Sequence, residues 1–298
     1  MSMHFGDFER HINNIFKVGQ KVRFNNNYYT ILKSGKPTLS YGEPKTDIYL
    51  LLHNDSQNLE LKISVKKNNA DFIENKMSAI RAEQVFGKHW MDIIIQSTSQ
   101  IKDRFLSRPL IYKSKKGRSQ AGSITIGWKF ELLNKLSGEL SGQMLLTKEQ
   151  LFDIYAGTNL PKDKKDAKVN GSPIINSGVA NYILFDDLTK FNSTDEVFQV
   201  LKPIDQYIEN HPNIYFACKA LNYRTFKRKF DGNRPLYVFV NWKVINNKLY
   251  PKFIFDKPLI TRGNEVVDLL LTSLKQLGIS TTNDINDDNV SSMDYVYK

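Results

Sequence analysis

Nine consecutive residues, Leu59-Glu60-Leu61-Lys62-Ile63-Ser64-Val65-Lys66-Lys67, leave the chain little choice of local structure. Strand side chains alternate between faces, so Leu59, Leu61, Ile63 and Val65 line one face and Glu60, Lys62, Ser64 and Lys66 the other. The apolar face belongs in a core. The opposite face carries an acid, a hydroxyl and two ammonium groups in a row. Such alternation also describes any half-solvated strand. A second strand-like run, Asp47-Ile48-Tyr49-Leu50, stands just before it and is led by Gly42-Glu43-Pro44-Lys45-Thr46.

Two carboxylates and an ammonium at one end of a sheet can hold Mg²⁺ and position a water against a phosphate. Pro44-x-x-Asp47 followed by Glu60-x-Lys62 resembles the signature of the PD-(D/E)XK nuclease superfamily, and type II restriction endonucleases within it. The resemblance implies a mixed α/β (α+β) fold: a restriction-endonuclease-like core with a central mixed β-sheet flanked by helices. A β-rich C-terminal extension would follow. It further implies Mg²⁺ as cofactor, bound by Asp47 and Glu60, with Lys62 orienting or deprotonating the attacking water. Lys66 would be a neighbouring cation facing the phosphate. The implied reaction is hydrolysis of double-stranded DNA to 5′-phosphate and 3′-hydroxyl ends, by a cytoplasmic restriction–modification enzyme, with a homodimer as one arrangement. A homing or phage-encoded endonuclease, and a DNA-binding protein with a decayed nuclease core, remain alternatives.

The register of the motif stays open. Ser64-x-Lys66 also fits, because some restriction enzymes that resemble this pattern have a neutral residue at the acid's position. Glu60-x-Lys62 is preferred because it supplies the second carboxylate that a divalent ion favours. Asp47 serves in either register. Glu9, Glu43, Glu74 and His53 are lesser candidates, each with an ordinary surface role as the simpler reading.

Composition agrees with an anionic partner. The 298 residues hold 42 Lys and Arg against 31 Asp and Glu, a formal charge of +11, which suits nucleic acid. Cys218 is the single cysteine, which excludes internal disulfides and fits a reducing cytosol. No apolar run nears the roughly 20 residues needed to span a bilayer, and the N-terminus lacks the features of a signal peptide. The five histidines are scattered without zinc-ligand spacing, and no phosphate-binding loop or nucleophile elbow occurs.

Hydrophobic spacing predicts a helix over 4–17, a hairpin about Asn25-Asn26-Asn27, and strands at 46–53 and 58–66. Asn69 is expected to cap a helix over 70–86, with Ile73, Met77 and Ile80 on one face, and another helix follows over 89–105. An amphipathic helix over 194–210 and a hairpin about Asn246-Asn247 come later. Two basic runs are expected to meet DNA. Lys115, Lys116 and Arg118 follow Arg104, Arg108 and Lys113; Arg224, Lys227, Arg228 and Lys229 follow Lys219 and alternate with Tyr223, Phe226 and Phe230. The expected division is a catalytic core at 1–118, a DNA-embracing region at 119–283 and a loose acidic tail at 284–298.

Overall fold

A computed structural model describes residues 5–67, 72–75, 77–186 and 191–298. The fold is mixed α/β, in two compact units. Unit one joins Met1–Ile73 to Leu146–Pro212, and unit two joins Glu74–Leu145 to Asn213–Lys298. The boundary expected at residue 118 therefore falls inside unit two.

The first segment contributes α1 (Phe5–Ile15), β1 (Lys21–Phe24), β2 (Asn27–Gly35), β3 (Pro37–Thr38), β4 (Ile48–Asn54) and β5 (Gln57–Lys67) to unit one. Asn25 and Asn26 both take positive φ, 47° and 65°, the left-handed conformation that a two-residue hairpin turn needs and asparagine tolerates. Unit two then begins with α2 (Ala79–Phe86), α3 (Trp90–Ser99), α4 (Lys102–Leu106), β6 (Ile111–Tyr112), β7 (Ser123–Leu133) and β8 (Ser141–Met144). Ser78, not Asn69, caps α2, accepting from Arg81 N–H at 3.2 Å; Asn69 lies outside the described residues. Met77 and Ile73 are buried, but Ile80 faces solvent.

The chain returns to unit one with α5 (Lys148–Ala156), α6 (Lys162–Lys165), β9 (Lys168–Val169), β10 (Ser172–Pro173), β11 (Tyr182–Asp186), α7 (Thr194–Val200), β12 (Lys202–Pro203) and α8 (Ile204–Asn210). The single helix expected over 194–210 is interrupted because Pro203 lacks the N–H that a helix interior requires. Thr147 caps α5 reciprocally with Gln150. Unit two is completed by β13 (Ile214–Arg224), β14 (Lys229–Phe230), β15 (Val238–Ile245), β16 (Lys248–Ile254), α9 (Gly263–Gln276) and β17 (Val296–Tyr297).

The main sheet of unit one runs β1-β2-β4-β5-β11-β12. Its pairs are antiparallel except β5 with β11, which are parallel. Leu61, Ile63 and Val65 of β5 pack with Phe8 and Ile12 of α1, Phe16 just after it and Val197 of α7 in one buried cluster, as the alternation requires. The opposite face of β5 is also partly covered, since Glu60, Lys62 and Lys66 are half-buried and Ser64 is fully buried.

Unit two is built on an eight-stranded sheet with main path β14-β13-β7-β15-β16. Trp128 of β7 meets Phe105 of α4 edge-on, with centroids 5.0 Å apart. Residues 284–298, expected to be loose, are instead built in: Ile285 and Val290 are buried and β17 pairs with β6. Apolar residues spaced among the acids anchor the segment.

Candidate active site

The segment leading to Asp47 is clamped against the end of α5. Lys45 N–H and Thr46 N–H donate to Gly178 O at 3.0 and 3.3 Å, and Lys45 Nζ donates to Ile154 O at 2.7 Å. A cation at the C-terminal turn of a helix satisfies its last carbonyls and its dipole. A Cβ at position 178 would stand 2.0 Å from Lys164 O and 3.0 Å from Pro44 Cβ, so the approach needs glycine. Asp47 N–H then donates to Ile63 O at 2.8 Å, extending the β4–β5 ladder by one residue. Asp47 thereby comes to lie opposite Ser64.

The Asp47 carboxylate is held but not saturated. Oδ2 accepts Val65 N–H at 2.7 Å and stands 3.8 Å from Lys66 Nζ. The side chain is only 17% exposed. Burial pushes its carboxyl above the ordinary range; Lys66 opposes this, Glu9 adds to it, and the Val65 N–H and Lys36 pull back. Glu9, on α1, is largely buried and accepts from Lys36 Nζ at 2.5 Å. Burial alone would lower the Lys36 pKa, but the hydrogen bond and charge of Glu9, helped by Asp47 and Glu43, raise it. Opposite Asp47, Ser64 Oγ is buried without a hydrogen-bond partner among the described residues.

Glu60 and Lys62 lie elsewhere on the strand. Leu51, not Asp47, pairs with Glu60, and the four residues from Glu60 to Ser64 span roughly 13 Å of strand. Glu60 Oε1 accepts from Tyr49 OH at 2.5 Å, and its Oε2 is 3.6 Å from Lys62 Nζ. Burial and that bond push the Tyr49 hydroxyl pKa up. The register thus separates Asp47 from Glu60, so the two do not form the joint metal ligands expected from the sequence, and Lys62 stands with Glu60. The pair brought to Asp47 is Ser64-x-Lys66.

Of the lesser candidates, Glu9 joins the group and Glu43 is exposed near Lys36. His53 Nδ1 bonds Asn58 Oδ1 at 2.8 Å across the exposed end of the β4–β5 pair, and Glu74 pairs with Arg81 Nε at 2.7 Å in unit two. Lys36 has no counterpart in the sequence reading. Its signal lay in the length of β2, which continues to Gly35 opposite Tyr49 and so carries Lys36 toward Asp47.

Mg²⁺ is commonly held by one or two carboxylates, with water and phosphate oxygens completing six ligands. Asp47 and Glu9, with the partnerless Ser64 hydroxyl, fit that donor chemistry. Among the described residues no three His, Cys, Asp or Glu side chains converge as a metal group.

In unit two the basic runs become one surface. Lys115, Lys116 and Arg118 occupy the loop between β6 and β7, while Lys227, Arg228 and Lys229 occupy the turn between β13 and β14; all six are exposed. Arg224 pairs with Ser123 across β13 and β7 and donates to Gln120 Oε1 at 3.3 Å. Thr225 N–H and Oγ1 bond Gly122 O at 2.7 and 2.9 Å. Gly122, at φ +81°, leaves room for the Phe226 ring, which is 48% exposed. Arg224 shares its charge with Asp231 at 2.6 Å. Lys219 does not join this surface: β13 turns it toward buried Glu131, 2.7 Å away, which Lys129 also reaches at 2.6 Å.

No protein-family model matches the chain, and comparison with characterised proteins and with solved structures finds no similar chain. Among the described residues no helix is long and apolar enough to cross a membrane.

Proposed function

We propose that this chain is a Mg²⁺-dependent endonuclease acting on double-stranded DNA, similar in design to type II restriction enzymes. The observation that carries this reading is Lys66 beside Asp47, on paired strands, with the buried hydroxyl of Ser64, unpartnered among the described residues, opposite Asp47 in the ladder. The order of elements in unit one supports it. A helix (α1), an antiparallel meander (β2-β4-β5), a helix (α5) and a strand parallel to β5 (β11) come in that order in unit one, with the short elements α6, β9 and β10 before β11. A helix, a meander, a helix and a strand is the order of a restriction-endonuclease-like core, although the helix the sequence suggested for the third place, over 70–86, corresponds to α2 of unit two. Residues 74–145 are inserted before α5.

Asp47 and Glu9 would hold the cation. Bound there, Mg²⁺ supplies Lewis-acid polarisation of the phosphate and a more acidic water. The Lys66 ammonium, at the edge of the carboxylate group, donates to a phosphate oxygen or holds the attacking water in line, with its charge stabilising the developing negative charge. Buried walls raise the worth of each charge there. The surface formed by Lys115, Lys116, Arg118, Arg224, Lys227, Arg228 and Lys229 neutralises the DNA backbone. A homing or phage-encoded enzyme would use the same groups.

Supercoiled plasmid incubated with the pure protein tests the reading. Mg²⁺-dependent conversion to nicked, linear or discretely cut DNA, lost in EDTA and in Asp47→Asn, is the expected result. Plasmid that is bound but never cut, with Mg²⁺ or Mn²⁺, would leave a DNA-binding protein with a decayed core.

A further inference from the structure

Glu9 and Asp47 are two carboxylates in each other's field, and each has its own ammonium partner. The partners differ. Lys66 stands 3.8 Å from Asp47 and is 20% exposed, whereas Lys36 contacts Glu9 at 2.5 Å and is 48% exposed. Lys36 can therefore swing into water on its flexible stem at little cost. Glu9 cannot follow, because its side chain is 11% exposed and α1 fixes it against the core. An ion left alone in such a place is strongly destabilising. Whenever Lys36 leaves, another cation has to replace it. The neighbourhood is prepared for one: Asp47 and Glu43 also attract positive charge at this point, and the hydroxyl of Ser64, opposite Asp47 in the ladder, is buried without a hydrogen-bond partner among the described residues.

We infer that Lys36 is a built-in, displaceable counter-ion that competes with a divalent cation for Glu9 and Asp47, and so sets how tightly the site takes its metal. This rests on the reading that these two carboxylates are the metal ligands. The lysine keeps the buried acids neutralised while the site is empty and weakens metal binding by the same interaction. By reciprocity, a bound cation releases the Lys36 ammonium to the solvent side of the site, where a DNA phosphate is its natural new partner.

The test is Mn²⁺ binding to the full-length protein without DNA, followed by electron paramagnetic resonance. The proteins are wild type, Lys36→Met, Glu9→Gln, the double variant, and Lys21→Ala as the loss of one exposed charge on edge strand β1 of the same sheet. Methionine keeps most of the aliphatic length, and circular dichroism with thermal melting verifies the fold of each. Lys36→Met should bind Mn²⁺ about tenfold tighter, within the usual range of coupling between two sites. Lys21→Ala should leave binding unchanged. In the Glu9→Gln background the Lys36→Met gain should vanish, because the acid the two cations contest is gone. Unchanged or weaker binding in a folded Lys36→Met protein would overturn the inference. So would an equal gain with Glu9→Gln present, which would mark a general charge effect, or no Mn²⁺ binding by any variant. Wild-type protein that shows this pattern but never cuts plasmid would remove the nuclease reading and leave the counter-ion standing.

Discussion

Lys66 Nζ lies 3.8 Å from Asp47 Oδ2, while that same oxygen takes a 2.7 Å hydrogen bond from Val65 N–H. The backbone amide holds the carboxylate in place and the ammonium stands slightly off, so Lys66 keeps donors for a third group.

Cleavage should accordingly depend on Lys66 and not on Lys62. Lys66→Ala is expected to lower single-turnover plasmid cleavage about 10²-fold or more, the usual loss for a positioned catalytic group. Lys62→Ala and Glu60→Gln should stay within a few-fold of wild type, because Glu60 is occupied by Tyr49. Inactive Glu60→Gln alongside active Lys66→Ala would return the site to the other register.

Asp47 should leave a mark on stability against pH. Its carboxyl is raised above the ordinary value of 3.8, chiefly by burial. From 3.8 up to the folded-state value, the unfolded chain has lost this proton and the folded chain keeps it. Stability from this residue is therefore full below 3.8 and falls as pH climbs through that window. Asp47→Asn removes the decline, so wild type minus variant melting temperature should drop from acid toward neutral pH. Ca²⁺ should restore part of it if the carboxylate is a ligand. A flat difference would mean that Asp47 titrates alike in both states.

The basic surface of unit two should show itself through salt. Lys115→Ala/Lys116→Ala and Arg228→Ala/Lys229→Ala should each weaken DNA-fragment binding in Ca²⁺. Every phosphate deprived of its cationic partner should flatten the log–log salt slope by about 0.9. Because the two runs form one surface, combining the pairs should weaken binding further with the fold intact. Unchanged affinity and slope in both pairs would make the charge a solvated surface only.

Asn181 stands in for a strand residue beside β5. Its Oδ1 accepts Lys62 N–H at 2.7 Å and its Nδ2 donates to Glu60 O at 2.9 Å, just ahead of the point where β11 takes over the pairing. Asn181→Ala would leave two backbone groups without partners and should cost about 1–3 kcal/mol in urea unfolding. A loss below about 0.5 kcal/mol would mean that water replaces both bonds.

Local signals carried much of this fold. The alternation of Leu59 to Val65 and the paired asparagines of two hairpins each act within a few residues, and each has the expected structural effect. What the sequence hid is long-range. Whether Asp47 meets Ser64 or Glu60 depends on how β4 slides along β5, and a strand pattern repeats every two residues, so the pattern alone admits both. Lys219 reads as the start of a basic, aromatic run, yet β13 carries it toward Glu131, a partner far upstream in the chain. Lys36 was invisible for a similar reason: Lys33-Ser34-Gly35 looks like the end of a strand, yet the ladder with β4 runs through it.

The chain passes from one compact unit to the other three times, and this bears on how the molecule is made. A ribosome releases β5 long before β11, its parallel neighbour, and β7 long before β13, with which it makes its longest pairing. At ordinary elongation rates these intervals are on the order of ten seconds. During them both nascent sheets expose strand edges that readily recruit other chains. Neither unit can close before its second segment emerges, and each second segment is made only after part of the other unit. Slower translation or a holding chaperone should therefore raise the yield of native protein more than for a chain whose domains follow one another in order.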